Sequence, residues 1–185
     1  MKNINTIEYN KALEVLRSGG TILYPTDTIW GIGCDATNVE AVSKIYTIKK
    51  RSESKALISL VANKRQLRNY TNNIPDQATN NQPTTIIYNN VKGLASNLIA
   101  KDKSAGIRIV QDIFCQKLIK RFGKPIISTS ANISNEIPPK EFAEISEEII
   151  NNVDYIVDLR KTEIMEKAST ILYVETNGKI KVLRP

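Results

Sequence analysis

Ile7-Glu8-Tyr9-Asn10-Lys11-Ala12-Leu13-Glu14-Val15-Leu16-Arg17-Ser18-Gly19-Gly20-Thr21-Ile22-Leu23-Tyr24-Pro25 contains the change of rhythm that decides the fold. Over residues 7 to 18, Ile7, Leu13, Val15 and Leu16 are read as the apolar positions of a helix. Gly19-Gly20 supplies the stop, since glycine enters the left-handed conformation that ends a helix without a Cβ penalty. Thr21 to Tyr24 then reads as a buried strand. A helix, a break and a buried strand form the repeating unit of an α/β domain.

The rest of the chain continues the alternation. A loop from Pro25 to Asp35 leads to Asn38, which can cap a second helix where Val39, Val42, Ile45 and Tyr46 recur at helical spacing. Ala56 to Ala62 is an apolar run of strand length, followed by a short helix from Lys64 to Tyr70 and a polar loop over Thr71 to Pro83. Strands are predicted at Thr84 to Tyr88 and Gly106 to Val110, a helix from Gln111 to Phe122 ended by Gly123, and a strand at Ile126 to Thr129. Residues 140 to 151 look helical. Tyr155 to Asp158, Thr170 to Val174 and Ile180 to Leu183 close the chain as strands, the last two joined by the hairpin signal Asn177-Gly178. The expected class is α/β with a mixed sheet flanked by helices, and no repeat or linker divides residues 1–185, which read as one domain.

Composition narrows the chemistry. The chain has no histidine, which removes the Ser-His-Asp and Cys-His machines, histidine-rich zinc sites and any histidine general base. A net charge of +7 favours anionic partners such as nucleotides or RNA at encounter, against the plain alternative that most surface lysines are simply solvated. No apolar run approaches the roughly 18 residues of a membrane span, and Lys2 has no apolar signal core behind it, so a cytoplasmic location is expected. Cys34 and Cys115 read as small core residues.

Three segments could carry chemistry. Lys49, Arg51 and Lys55 precede an apolar strand; if the helix has ended by Lys49, extended backbone turns Lys49 and Arg51 to the same side. Arginine offers a planar fork for phosphate oxygens and lysine a mobile point charge, a pair suited to a triphosphate. The competing reading is a helix end whose cations merely offset its dipole. Ser128-Thr129-Ser130-Ala131-Asn132 lies at a strand end, where open α/β sheets place ligands, although such clusters also simply build turns. Ser130 has no histidine partner and no nucleophile-elbow context, which makes it a poor nucleophile. In Tyr24-Pro25-Thr26-Asp27-Thr28-Ile29-Trp30-Gly31-Ile32-Gly33 the glycines permit close backbone approach and Thr26 and Thr28 present hydroxyls, without matching a Walker or Rossmann loop.

Together these segments resemble the YrdC/YciO family of threonylcarbamoyl-adenylate synthases, with support from Gly106-Ile107-Arg108-Ile109, Ser169-Thr170-Ile171 and Leu183-Arg184. The resemblance implies a twisted sheet with a large basic concave surface that holds ATP beside L-threonine. It implies that Lys49, Arg51 and Lys55 grip the triphosphate, Lys49 and Arg51 being the catalytic pair, with Ser130 and Asn132 alongside. Ser104, Pro138 and Arg184 add nucleotide contacts, and Thr28, Leu60, Arg108, Ser128 and Ser169 surround threonine. Leu60 stands where relatives can carry histidine, Trp30 where tyrosine or phenylalanine is usual, Val110 for a frequent proline and Asn135 for glycine. The implied reaction consumes L-threonine, bicarbonate and ATP with Mg²⁺ and needs no prosthetic group. A downstream threonylcarbamoyl transferase complex, tRNA and double-stranded RNA are the implied partners, with no membrane. Two other readings are a YciO-like paralogue acting on another acyl-adenylate and a non-catalytic RNA-binding module.

Overall fold

The computed structural model describes residues 6–53, 56–175 and 179–185 in full and the backbone of residues 2–5. Lys55 and the Asn177-Gly178 turn therefore lie outside the described residues. Helix α1 runs Lys2–Arg17; Leu13 and Leu16 are buried whereas Ile7 is exposed, so the expected apolar face is corrected at Ile7. The helix stops where expected, with Gly19 at φ +75 and Gly20 N donating to Val15 O at 2.9 Å. Strand β1 (Ile22–Tyr24) follows.

The loop after Tyr24 contains a strand the sequence concealed, β2 (Gly31–Gly33). It pairs antiparallel with β1 and, on its other side, with β6 (Ile126–Ser130). Glycine is required at position 33, where a Cβ would lie 2.5 Å from Ile127 O and 2.7 Å from Tyr24 Cε1. The absent side chain lets Tyr24 reach over β2, and its hydroxyl donates to Ile127 O at 2.8 Å.

Helix α2 spans Val39–Ile48, with the Asn38 side chain accepting from Ala41 N as its cap. Strand β3 (Ile58–Val61) and the single turn α3 (Lys64–Leu67) come next. Strands β4 (Thr84–Tyr88) and β5 (Ala105–Ile109) lead to α4 (Ile113–Phe122), capped by Asp112 and ended by Gly123 at φ 84. The predicted helix over 140–151 is corrected to a 3-10 turn, Phe142–Glu144, and a one-turn helix α5, Glu147–Ile150. Between them Ile145 is extended, at φ −72 and ψ 126, and its buried side chain belongs to the core. Strands β7 (Tyr155–Ile156), β8 (Thr170–Val174) and β9 (Ile180–Arg184) complete the sheet.

Among the described residues the sheet has the order β7-β1-β2-β6-β3-β5-β4-β8-β9. It is mixed: β3 with β5 and β4 with β8 are parallel, whereas β3 with β6 and β8 with β9 are antiparallel. Alternation along the strands sorts side chains into two cores. Ile22, Tyr24, Leu60 and Ile126 pack with Leu13 and Leu16 of α1 and Leu118 and Ile119 of α4. Leu23, Val61 and Ile127 pack on the other side with Val42, Ile45 and Tyr46 of α2. Each fully buried aliphatic side chain contributes about 1.5–3 kcal/mol, so the two helical layers hold the sheet from both faces.

Candidate active site

The end of α2 sets the first part of the site. Lys50 takes the left-handed conformation at φ 48. Arg51 N then donates to Tyr46 O at 2.9 Å and Lys50 N to Thr47 O at 3.0 Å, the double closure of a Schellman turn. The backbone is thus not extended from 49 to 51, and the expectation that Lys49 and Arg51 project alike is corrected. Lys49 turns inward and is 1% exposed; Arg51, past the reversal, joins a cavity wall and donates to Ala56 O at 3.0 Å.

Lys49 meets the serine-asparagine segment directly. Its Nζ donates to Ser130 O, to Asn132 O at 2.6 Å and, at 3.4 Å, to Asn132 Oδ1, while its own carbonyl accepts from Ser134 N at 2.8 Å. Burial, reinforced by the nearby Arg51 guanidinium, pulls the Lys49 pKa down to about 7. The Asn132 amide nitrogen donates to Ile133 O and Glu136 O at 2.9 and 2.7 Å, locking the turn. Asn135 completes it at φ 75, a left-handed position that asparagine tolerates in place of glycine.

On the far side of the sheet ends, the loop after β1 is folded around Thr26, whose Oγ1 accepts from Thr28 N at 3.0 Å and lies 2.9 Å from Thr28 Oγ1. This turn presents Asp27 to Arg108 on β5. The carboxylate accepts from Arg108 Nη1 at 2.6 Å and from Gln111 N at 2.8 Å, and Arg108 Nη2 lies 3.4 Å from Thr28 Oγ1. Arg108 Nε is buried without a hydrogen-bond partner. Just before β8, Ser169 Oγ is 2.8 Å from Thr85 Oγ1 of β4. Arg184 donates to Ser169 O through Nε and Nη2 at 3.0 and 2.7 Å. Desolvation and the neighbouring Arg108 lower the Arg184 pKa.

These elements enclose one cavity of about 370 Å³. Thr28, Arg51, Ser104, Arg108, Ser128, Ser130, Pro138, Ser169 and Arg184, all singled out in the sequence, form its wall. Lys49 and Asn132 lie behind that wall and brace it. Leu60 is a correction: it is fully buried in the core under α1 and α4, because β3 alternation sends it to the face opposite Val61. Asp27 and Thr85 were missed as site residues. Asp27 was visible between two threonines in the quoted loop, whereas Thr85 gives no signal beyond an ordinary strand threonine. Among the described residues, three guanidiniums and no carboxylate line the cavity, a wall built for anions. Among the described residues no group of three His, Cys, Asp or Glu converges as a metal site, and no helix is long and apolar enough to cross a membrane.

A family model described as telomere recombination, covering Sua5, YciO and YrdC, matches residues 14–185. The chain belongs to the Sua5/YciO/YrdC family. Threonylcarbamoyl-AMP synthase of Photobacterium profundum is 32% identical over 156 residues, covering 80% of this chain and 84% of that protein. The protein of the same name from Coxiella burnetii is 31% identical over 159 residues, covering 83% and 86%. The structure of P. abyssi Sua5 complexed with L-threonine matches with a TM-score of 0.82 at 23% identity, over 96% of this chain and 53% of that one. This chain therefore spans about half the length of that Sua5. E. coli YciO matches with a TM-score of 0.79 at 25% identity, over 95% of this chain and 87% of YciO. These likenesses establish the Sua5/YciO/YrdC fold for this chain.

Proposed function

We infer that this chain is a threonylcarbamoyl-AMP synthase, joining L-threonine, bicarbonate and ATP with release of pyrophosphate and water. The observation that carries the reading is the cavity that Arg51, Arg108 and Arg184 line together with the hydroxyls of Thr28, Ser128, Ser130 and Ser169, with no carboxylate in the wall among the described residues. The names of the relatives support the same activity.

Arg108 is the anchor for the amino acid carboxylate. Asp27 holds its guanidinium from one side at 2.6 Å, so the fork meets its ligand pre-oriented instead of being ordered on binding. Thr28, Ser128 and Ser169 supply hydroxyl contacts around the amino acid. Arg51 faces the polyphosphate, with Ser104, Ser130, Pro138 and Arg184 toward the rest of the nucleotide, and Lys55 is assigned to the triphosphate on the family resemblance. Lys49 acts behind Ser130, fixing the turn that shapes this end of the cavity. Magnesium enters as part of the nucleotide substrate, coordinated by phosphates and water, since the wall offers no carboxylate to it.

The reaction needs alignment and charge neutralisation more than a protein nucleophile. The threonine amine attacks the carbon of carbon dioxide derived from bicarbonate, losing a proton and becoming an N-carboxylate. An oxygen of that carboxylate attacks the α-phosphorus, the bond to the bridging oxygen breaks, and pyrophosphate leaves with the electron pair. Arg51 offsets charge gathering on the leaving group. The resulting mixed anhydride is reactive toward amines, which fits transfer to tRNA by a downstream enzyme in the cytoplasm.

Purified protein supplied with Mg·ATP, bicarbonate and each amino acid in turn tests the reading. Pyrophosphate release that depends on threonine and bicarbonate is expected. Release without threonine, or with another acyl donor in its place, would instead favour a YciO-like activity, and RNA binding with no release would favour a binding module.

A further inference from the structure

A second surface, remote from the cavity, bears its own chemistry. On α4 the exposed positions Ile113, Lys117, Lys120 and Arg121 fall on one helical face, following the spacing i, i+4, i+7 and i+8. That face borders a groove of about 1060 Å³ between α4, α1 and the Leu159-Arg160 segment. Its floor is apolar: Phe114 and Leu159 are partly buried against the core beneath, and Ile113 leaves 68% of its surface to solvent. Lys120 also lines a neighbouring depression with Arg65, which extends the basic rim beyond the groove. Among the described residues, no carboxylate lines either depression. Among the described residues, Lys117, Lys120 and Arg121 take part in no ion pair.

We propose that this groove docks an acidic amphipathic segment of a partner protein, apolar side chains on Ile113 and Leu159 and carboxylates on Lys117, Lys120 and Arg121. Charge complementarity selects an anion, since a cationic or neutral partner would leave this basic rim uncompensated. The floor selects protein over nucleic acid. A phosphate backbone gains nothing by covering Ile113 and Leu159, whereas an amphipathic helix buries its apolar stripe there. Base stacking is disfavoured as well: the Tyr9 ring is flanked edge-on by Phe114 at 6.5 Å and covered by Arg121 at 5.5 Å. Its hydroxyl donates to Lys117 O at 2.9 Å.

The test places a photo-crosslinking residue at position 113 of the full chain in the cells that make it, with a second copy carrying it at exposed Asn80 as control. The expected product is a crosslink specific to position 113, to a protein segment that mass spectrometry shows to hold carboxylates interleaved with apolar residues. A synthetic peptide of that segment should bind the purified chain, weaken with added salt, and bind at least tenfold more weakly to Lys117→Glu/Lys120→Glu. Threonine-dependent pyrophosphate release by that double variant should be unchanged, so that loss of docking and loss of catalysis are read separately. RNA as the crosslinked species, no product above the Asn80 control, or peptide binding indifferent to the charge reversal would each overturn the proposal.

Discussion

Lys49→Met tests the central claim about the site, that this lysine is a buried brace instead of an exposed phosphate ligand. Its folded pKa of about 7 lies below the ordinary value of 10.5 because burial and Arg51 disfavour the charged form. Between those two values the unfolded chain holds a proton on Lys49 that the folded chain has lost. Folding stability therefore rises with pH across that window, by up to about 1.4 kcal/mol per pH unit. From about pH 7 to about pH 9 the gain is about 2 kcal/mol, or roughly 4–8 °C in Tm for a chain of this size. Methionine keeps the stem and has nothing to titrate, so subtracting the variant's pH profile from the wild type's cancels contributions from other groups. The assay is urea unfolding followed by Trp30, the only tryptophan in the chain and fully buried. A difference profile that stays flat over this range would refute the burial argument and return Lys49 to the role of a solvated cation. The same variant should lose more than tenfold in turnover, about 1.4 kcal/mol, because the Ser130 and Asn132 carbonyls lose their tether.

Leu60→Ala should lower stability by about 2–5 kcal/mol in denaturant titration while the KM for threonine stays at its wild-type value, since the side chain fills core and not cavity. Arg108→Lys should raise the threonine KM at least tenfold, about 1.4 kcal/mol, with little change in the ATP KM, because an ammonium cannot hold Asp27 and a ligand carboxylate as a planar fork does. Gly33→Ala forces a Cβ to within 2.5 Å of Ile127 O; thermal melts should show a loss of roughly 1–3 kcal/mol or more, as for other overpacked sites.

Much of this was readable in the residues because local chemistry and tertiary packing agreed. Gly19-Gly20 ends α1, the Asn38 side chain caps α2, and Asn135 occupies the left-handed position its side chain tolerates. Nine of the residues singled out in the sequence share one cavity wall. What escaped has identifiable causes. Strand β2 is Gly-Ile-Gly, and two residues without side chains cannot display a period. The helix expected over 140–151 is broken because Ile145 is drawn into the core in an extended conformation. The mutual orientation of Lys49 and Arg51 turns on a left-handed Lys50, which no preference of lysine foreshadows. Leu60 was misplaced because a resemblance transfers positions, whereas strand alternation decides which face each position serves.

The strand order has a consequence for how the cavity comes into being on the ribosome. Ile22 registers with Tyr155 and Thr84 with Thr170, so one edge of β1 and one edge of β4 wait for partners synthesised much later. Thr28 cannot face Ser169 and Arg184 until β8 and β9 have left the exit tunnel. Nascent chains of this protein therefore pass through a long interval with unpaired strand edges, a period in which chaperone shelter matters most. Slowing synthesis between the codons of β4 and those of β8 should lengthen that exposure and reduce soluble yield without altering a single residue of the finished enzyme.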